Sequence, residues 1–268
     1  MSSDREAAID AIPVGGIPVL RTALEPSVHR LLWAREQGAL CFRLVNTYSI
    51  SLASRDPDYE ALLIGPGENV PDGWPVVASQ RLLSRERDGR RPQRVRGPSF
   101  FRLALDLGRA RSVKHFLLGG GSQDVLAQLE RVITSDYPGA LIVGRYCPPF
   151  APLSEFPLED WARMIVTADA DVIWVGLGTP KQDYVAARLV ASTGRSAAGV
   201  GAAFDFMAGA KSEAPGLVQQ LGLEWLFRLL CEPRRLWRRY LVDGVCFVRL
   251  VALDVNRKRR DDLSQRGR

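Results

Sequence analysis

Histidine and cysteine are scarce: the 268 residues include two His and four Cys. The cysteines, at 41, 147, 231 and 246, form no CxxC pair. A disulfide scaffold or a structural zinc site is therefore not expected, and a reducing, cytoplasmic setting fits. His29 and His115 leave little room for His-rich metal chemistry. No GxSxG occurs, so Ser–His–Asp hydrolysis has no foothold. No run of 18 apolar residues exists, so no helix is expected to cross a bilayer. The longest apolar stretch, GVCFVRLVAL (244–253), is short and contains Arg249. The opening MSSDREAAID lacks the basic-then-apolar pattern of a signal peptide, and no internal repeat is evident.

What is present is ordinary globular composition, 46% hydrophobic and 25% charged, with length for one large domain or two small ones. The net charge of +6 is unevenly placed. Residues 228–268 hold 12 Lys+Arg against 5 Asp+Glu, while the remainder is close to neutral. A cationic block of this kind binds polyanions. Its basic residues alternate with Leu236, Trp237, Tyr240, Leu241, Phe247 and Leu250. Arg234 and Arg238, like Arg235 and Arg239, stand four apart and can share a helical face. Arginines flanked by Trp and Tyr suit an anionic membrane interface. The plainer alternative is a C-terminal helix docked on the core with a solvated basic face. No recognition motif accompanies the block, so nucleic acid is not an expected partner.

The rest alternates strand-like and helix-like segments. CFRLV (41–45), ALLIG (61–65), HFLLGG (115–120), ALIVG (140–144), VIWVG (172–176) and SAAGVG (196–201) read as strands, and all but the first end at Gly. Helical patterns cover 27–37, 74–83, 100–111, 124–134, 158–167 and 182–192. These are βα units, which predict a Rossmann-like, mostly parallel sheet with helices on both faces. Right-handed crossovers place the Gly turns along one edge. SRERDGRRPQRVRG (84–97) reads as a mobile surface loop and PPFAPLSEFP (148–157) as a break. The expected division is a catalytic body, 1–215, and a basic amphipathic helical appendage, 216–268.

Four motifs carry candidate chemistry. In LLGGGSQDV (117–125), Gly119, Gly120 and Gly121 lead into a helix opening near Ser122, a geometry that either cradles an anion or merely turns the chain. In VIWVGLGTPKQD (172–183), Gly176 and Gly178 free the backbone, Thr179 can cap a helix, Pro180 suits its first position, Lys181 adds a charge and Gln182 both donates and accepts. This is neither GxGxxG nor a Walker loop. An NAD-dependent oxidoreductase is thereby disfavoured and kept as an alternative, as is a non-catalytic anionic-membrane binding module. In ENVPDGWPV (68–76), Asp72 lies in a Pro-Asp-Gly turn before a helix. That reads as a turn and N-cap, or as a general base at the sheet's rim. Asp169 and Asp171 form an Asp-x-Asp, but they precede a strand, at the edge opposite the Gly turns, and read as solvated surface.

Together, VGLGTPKQD, GVGAAFDFMAG (199–209) and LGLEWLFRLLCEPRRLWRRYL (221–241) resemble the WecG/TagA/CpsF family of bacterial glycosyltransferases. NTYSISLASRDPDY (46–59) and PDG (71–73) resemble its amino-terminal blocks. The resemblance implies an inverting transferase that moves a sugar from a UDP-sugar donor to a polyprenyl-diphosphate-linked saccharide, for cell-surface polysaccharide synthesis. It implies work at the cytoplasmic face of the inner membrane as a peripheral protein, with no metal, no cofactor and possible homo-oligomers. Carried over by motif, Asp72 is the base, Asn46 lies near the acceptor and Arg94 belongs to an Arg-Val-x-Gly block. Thr47, Gly73, Phe204, Asp205, Arg228, Arg235 and Arg238 join the glycine turns, Ser122, Thr179, Lys181 and Gln182 as substrate-binding candidates. The chain departs from the family pattern at Leu44, Pro98-Ser99, Asp183 and Glu213, which leaves the transferred sugar open.

Overall fold

A computed structural model of the chain describes residues 10–84 and 91–266. It opens with an antiparallel hairpin, β1 (Ala11–Val14) and β2 (Ile17–Leu20), turning at Gly15 and Gly16, both at positive φ. Helix α1 (Leu24–Gln37) leads to β3 (Cys41–Val45), then α2 (Thr47–Ala53), α3 (Pro57–Ile64), β4 (Glu68–Pro71) and α4 (Trp74–Leu83). There follow α5 (Gly97–Arg109), β5 (Lys114–Gly119), α6 (Gln123–Asp136), β6 (Leu141–Tyr146), α7 (Leu158–Thr167), β7 (Val172–Gly176), α8 (Lys181–Thr193), β8 (Ser196–Gly199) and α9 (Ala203–Met207). The sheet order is β4-β3-β8-β7-β5-β6, and every pair is parallel. The expected Rossmann-like α/β architecture is the one observed.

Both faces of the sheet are buried, which explains its continuous apolar strands. Along β7, Val172 and Trp174 point into one core, with Phe100 and Phe101 of α5 and Leu126 and Leu129 of α6. Ile173 and Val175 point into the other, with Trp161 of α7 and Val185 and Leu189 of α8. The period of two is the strand's own geometry. His115 sits inside the sheet, where its Nδ1 accepts from Trp174 Nε1 at 3.1 Å and burial lowers its pKa to about 4. His29 packs on Trp33.

Two local expectations are corrected. ALLIG is not a strand. Asp56 caps a helix by accepting from Tyr59 N at 3.1 Å, Pro57 fits its first turn, and Ala61–Ile64 form its last turn with Leu63 in the core. The strand is β4, whose polar residues are individually paired: Asn69 Oδ1 accepts from Arg43 Nε at 2.9 Å, and Glu68 bonds Arg30. The 84–97 stretch is not wholly a surface loop. Residues 85–90 lie outside the described residues, but Val95 and Arg96 are buried, and Val95 N donates to Pro71 O at 2.8 Å.

A third core joins the hairpin, α2, α3 and α4 to the C-terminal segment. That segment comprises α10 (Gly216–Gln220), α11 (Glu224–Cys231), α12 (Pro233–Trp237), a π-helical turn (Arg238–Val242) and α13 (Asp243–Arg266). Phe247 of α13 is buried, Asp243 pairs with Arg55 at 2.7 Å, and Asp254 accepts from Gly15 N at 2.6 Å. Docking on the core, the plainer expectation for this segment, is thus realised. Among the described residues no helix is long and apolar enough to cross a membrane.

Candidate functional site

All six strands end along one edge, and their turns converge there. The registers of β3 and β4 align Val45 with Pro71, so Asn46 and Asp72 emerge side by side. Asp72 N is tied to Val45 O at 2.8 Å. Asn46 caps α2, its Oδ1 accepting from Tyr48 N at 3.0 Å and Ser49 N at 3.3 Å, which holds it at the edge. Asp72 is not an N-cap: that position is Gly73, at φ 115°, so the carboxylate is left for other work.

Two cavities meet at this edge. The first, about 340 Å³, is polar. It is bounded by the turns after β5, β7 and β8, and by Lys211, Arg228, Arg235 and Arg239. The second, about 500 Å³, is mostly apolar, with Trp74, Trp225, Leu241, Val245, Phe247 and Val248 in its wall. Asn46, Asp72, Glu224, Arg228 and Arg239 line both. Asp72 is thus in a shared wall. Its pKa is pushed up to about 6, first by burial and then by the Glu224 carboxylate, against the pull of Arg96, Arg228 and Arg94. A carboxylate so poised is a competent proton acceptor near neutral pH.

The glycine turns are built for close approach. At Gly119, φ 125°, an added Cβ would lie 2.5 Å from Gly176 O; at Gly176 it would lie 2.8 Å from the Phe204 ring. Gln182 Oε1 accepts from Gly178 N at 3.1 Å and from Gly201 N at 2.9 Å, so one buried amide fixes the turns after β7 and β8. Thr179 does not take the capping role expected of it. The N-cap of α8 is Pro180, after a cis Thr179–Pro180 bond, and no side chain caps it. Lys181 Nζ donates to Ala151 O at 2.7 Å and lies 4.5 Å from the Phe150 ring. Phe150 is fully exposed at the cavity wall.

Of the sequence candidates, Asn46, Asp72, Gly119, Gly176, Gly178, Thr179, Lys181, Gln182, Asp205, Arg228 and Arg235 line the polar cavity. Thr47, Gly73 and Arg94 line the apolar one. Arg94 bonds Glu224 at 3.4 Å and Gln219 O at 3.3 Å, and stacks on Trp74 at 5.6 Å. Four candidates lie outside both linings. Phe204 is core packing beneath the glycines. Gly120 packs on Leu126. Ser122 is the exposed N-cap of α6, accepting from Val125 N at 3.2 Å. Arg238 lies over Trp237 at 5.1 Å. The π-helical turn instead puts Arg239 in the site, above the Tyr48 ring at 4.5 Å. Phe150, Arg96, Glu224 and Arg239 were missed. The i,i+4 spacing of Arg235 and Arg239 was the available signal for the last.

Asp169 and Asp171 stand at the far edge, as their position before β7 requires. Asp169 pairs with Lys114 at 2.6 Å, but Asp171 is buried rather than solvated, accepting from Lys114 N at 2.9 Å. Among the described residues no group of three or more His, Cys, Asp or Glu could hold a metal ion.

Two curated relatives are each named N-acetylglucosaminyldiphosphoundecaprenol N-acetyl-beta-D-mannosaminyltransferase. The one from Bacillus spizizenii is 30% identical over 190 residues, 70% of this chain and 70% of its own. The one from Bacillus subtilis is 29% identical over 201 residues, 74% of this chain and 73% of its own. The oxidoreductase and binding-module alternatives are set aside by these relatives. Residues 12–261 match the Glycosyl transferase WecG/TagA/CpsF family, and the chain belongs to that family of glycosyltransferases.

Proposed function

We propose that this glycosyltransferase moves a sugar from a UDP-sugar to a polyprenyl-diphosphate-linked saccharide, with inversion, at the cytoplasmic face of the membrane. One observation carries the reading: Asp72 lies in the wall between a basic polar cavity and an apolar one. The first suits a nucleotide diphosphate and the second a lipid-linked acceptor. The relatives' names, an N-acetylglucosaminyl-diphosphoundecaprenol acceptor and an N-acetylmannosaminyl group, support the same pairing.

The chemistry follows from the residues. The diphosphate rests against the turns after β5 and β7, where the lack of a side chain at Gly178 leaves open space in the polar cavity. The base lies toward Phe150 and Asp205. Asp72 takes the proton of the acceptor hydroxyl as that oxygen bonds to the anomeric carbon from the face opposite UDP. The bond to the UDP oxygen breaks, and the electron pair leaves with UDP. Arg228, Arg235, Arg239 and Lys211 absorb the growing charge through charge-assisted hydrogen bonds, so the mechanism calls for no metal. The exposed apolar residues around the second cavity, Trp225, Leu241, Val245 and Val248, together with the arginines of α13, rest on the anionic membrane surface that holds the acceptor. The body, 1–215, holds the donor, and the appendage, 216–268, completes the site.

The test is a screen of UDP-sugars with polyprenyl-diphosphate N-acetylglucosamine, read by mass spectrometry. One added hexose or N-acetylhexosamine on the acceptor is expected. No transfer from any UDP-sugar, combined with no UDP binding, would overturn the reading.

A further inference from the structure

The C-terminal segment brings a carboxylate, that of Glu224, to the wall that Asp72 shares with the arginines. Glu224, at the start of α11, bonds Arg96 twice, Oε2 to Nε at 3.0 Å and Oε1 to Nη2 at 3.1 Å, and reaches Arg94 at 3.4 Å. Both arginines belong to the loop that follows β4 and α4, and both act on Asp72. Arg228 of α11 and Arg239 of the π-helical turn line both cavities with Asp72, as Arg96 lines the first and Arg94 the second. Asp72 thus stands among four guanidinium groups. Their positive charges pull Asp72 toward its ionised form, which makes it a poorer base. Arg96 is further occupied by Glu213 at 2.8 Å.

We propose that Glu224 is a positioning residue of the transfer reaction: by engaging Arg94 and Arg96 it frees Asp72 from them, so that docking of the C-terminal segment makes the base effective. The proposal rests on the reading of Asp72 as the base. Glu224's charge also repels that on Asp72, which agrees with the upward direction of Asp72's pKa. A weaker base removes the acceptor proton less readily, so the effect falls on kcat.

The experiment follows Asp72 itself, by carbon-13 NMR of labelled aspartate carboxyls in the full chain between about pH 4 and pH 8. Its resonance is assigned from its disappearance in Asp72→Asn. Glu224→Gln should lower the Asp72 midpoint by about one pH unit, whereas Glu224→Asp, which keeps the charge, should leave it near the wild-type value. Glu224→Met, also neutral, replaces the glutamine form if that form does not fold. In transfer assays the acid limb of kcat/KM should move with the midpoint. An unchanged midpoint in the neutral variants, or an equal drop in Glu224→Asp, would overturn the proposal. Full turnover by Asp72→Asn would instead overturn the base assignment, so the two failures are distinguishable.

Discussion

Tyr59→Phe deletes one oxygen, and its consequence can be worked from the buried pair it belongs to. The Tyr59 hydroxyl donates to Asp183 Oδ2 at 2.7 Å, with both side chains in the interior. Burial raises the Asp183 pKa to about 6, while the Tyr59 hydrogen bond and Arg43 hold it down. The folded value lies above the unfolded one of about 3.9, so between these limits the folded state binds more protons and stability falls as pH rises. Removing the hydroxyl raises the folded pKa further and carries that fall to higher pH. At pH 8 the carboxylate has lost a charged-group hydrogen bond, worth about 2 kcal/mol. For a chain of this size that lowers the melting temperature by about 5 °C. Near pH 5 the carboxyl is mostly neutral in both forms, and the deficit should shrink to about 1 kcal/mol. Chemical denaturation of both proteins at several pH values measures it. A deficit that is absent, or equally large at pH 5 and pH 8, would refute the reasoning.

Other outcomes follow from the same structure. Gly119→Ala places a Cβ against Gly176 O at a positive φ and should cost at least about 2 kcal/mol of unfolding free energy; a wild-type melting curve would contradict the close approach. Val245→Asp charges the apolar cavity and should raise KM for a long polyprenyl acceptor at least about tenfold, equal to about 1.4 kcal/mol, with UDP affinity unchanged; an unchanged KM would argue against lipid in that cavity. Exchanging the exposed Arg257, Arg259 and Arg260 for Gln should weaken binding to anionic vesicles by about 3 kcal/mol in cosedimentation, and no weakening would remove α13 from the membrane contact.

The sheet was legible where its strands are apolar, and β5, β7 and β8 end at glycine. Cys41–Val45, Val172–Gly176, Trp74–Leu83 and Leu158–Thr167 have the bounds their patterns predict. The failures have different causes. Glu68 and Asn69 make β4 look like a loop until Arg30 and Arg43 are seen beside them. ALLI has strand propensity, yet Asp56 and Pro57 commit it to a helix. In the site, motif blocks indicated the glycine turns, Asp72 and Gln182. They did not separate Arg238 from Arg239, because each stands four residues after another arginine, Arg234 or Arg235, and either pair could have faced the site. Glu224 was visible only as part of a motif. Its work depends on Arg94 and Arg96, 128 to 130 positions away in the chain.

The account stands on Asp72 as the group that accepts the acceptor's proton. Single-turnover transfer by Asp72→Asn, measured beside UDP binding by calorimetry, tests this most directly. The rate should fall at least about a hundredfold while UDP affinity stays within about twofold. A variant that transfers sugar at the wild-type rate would contradict the account.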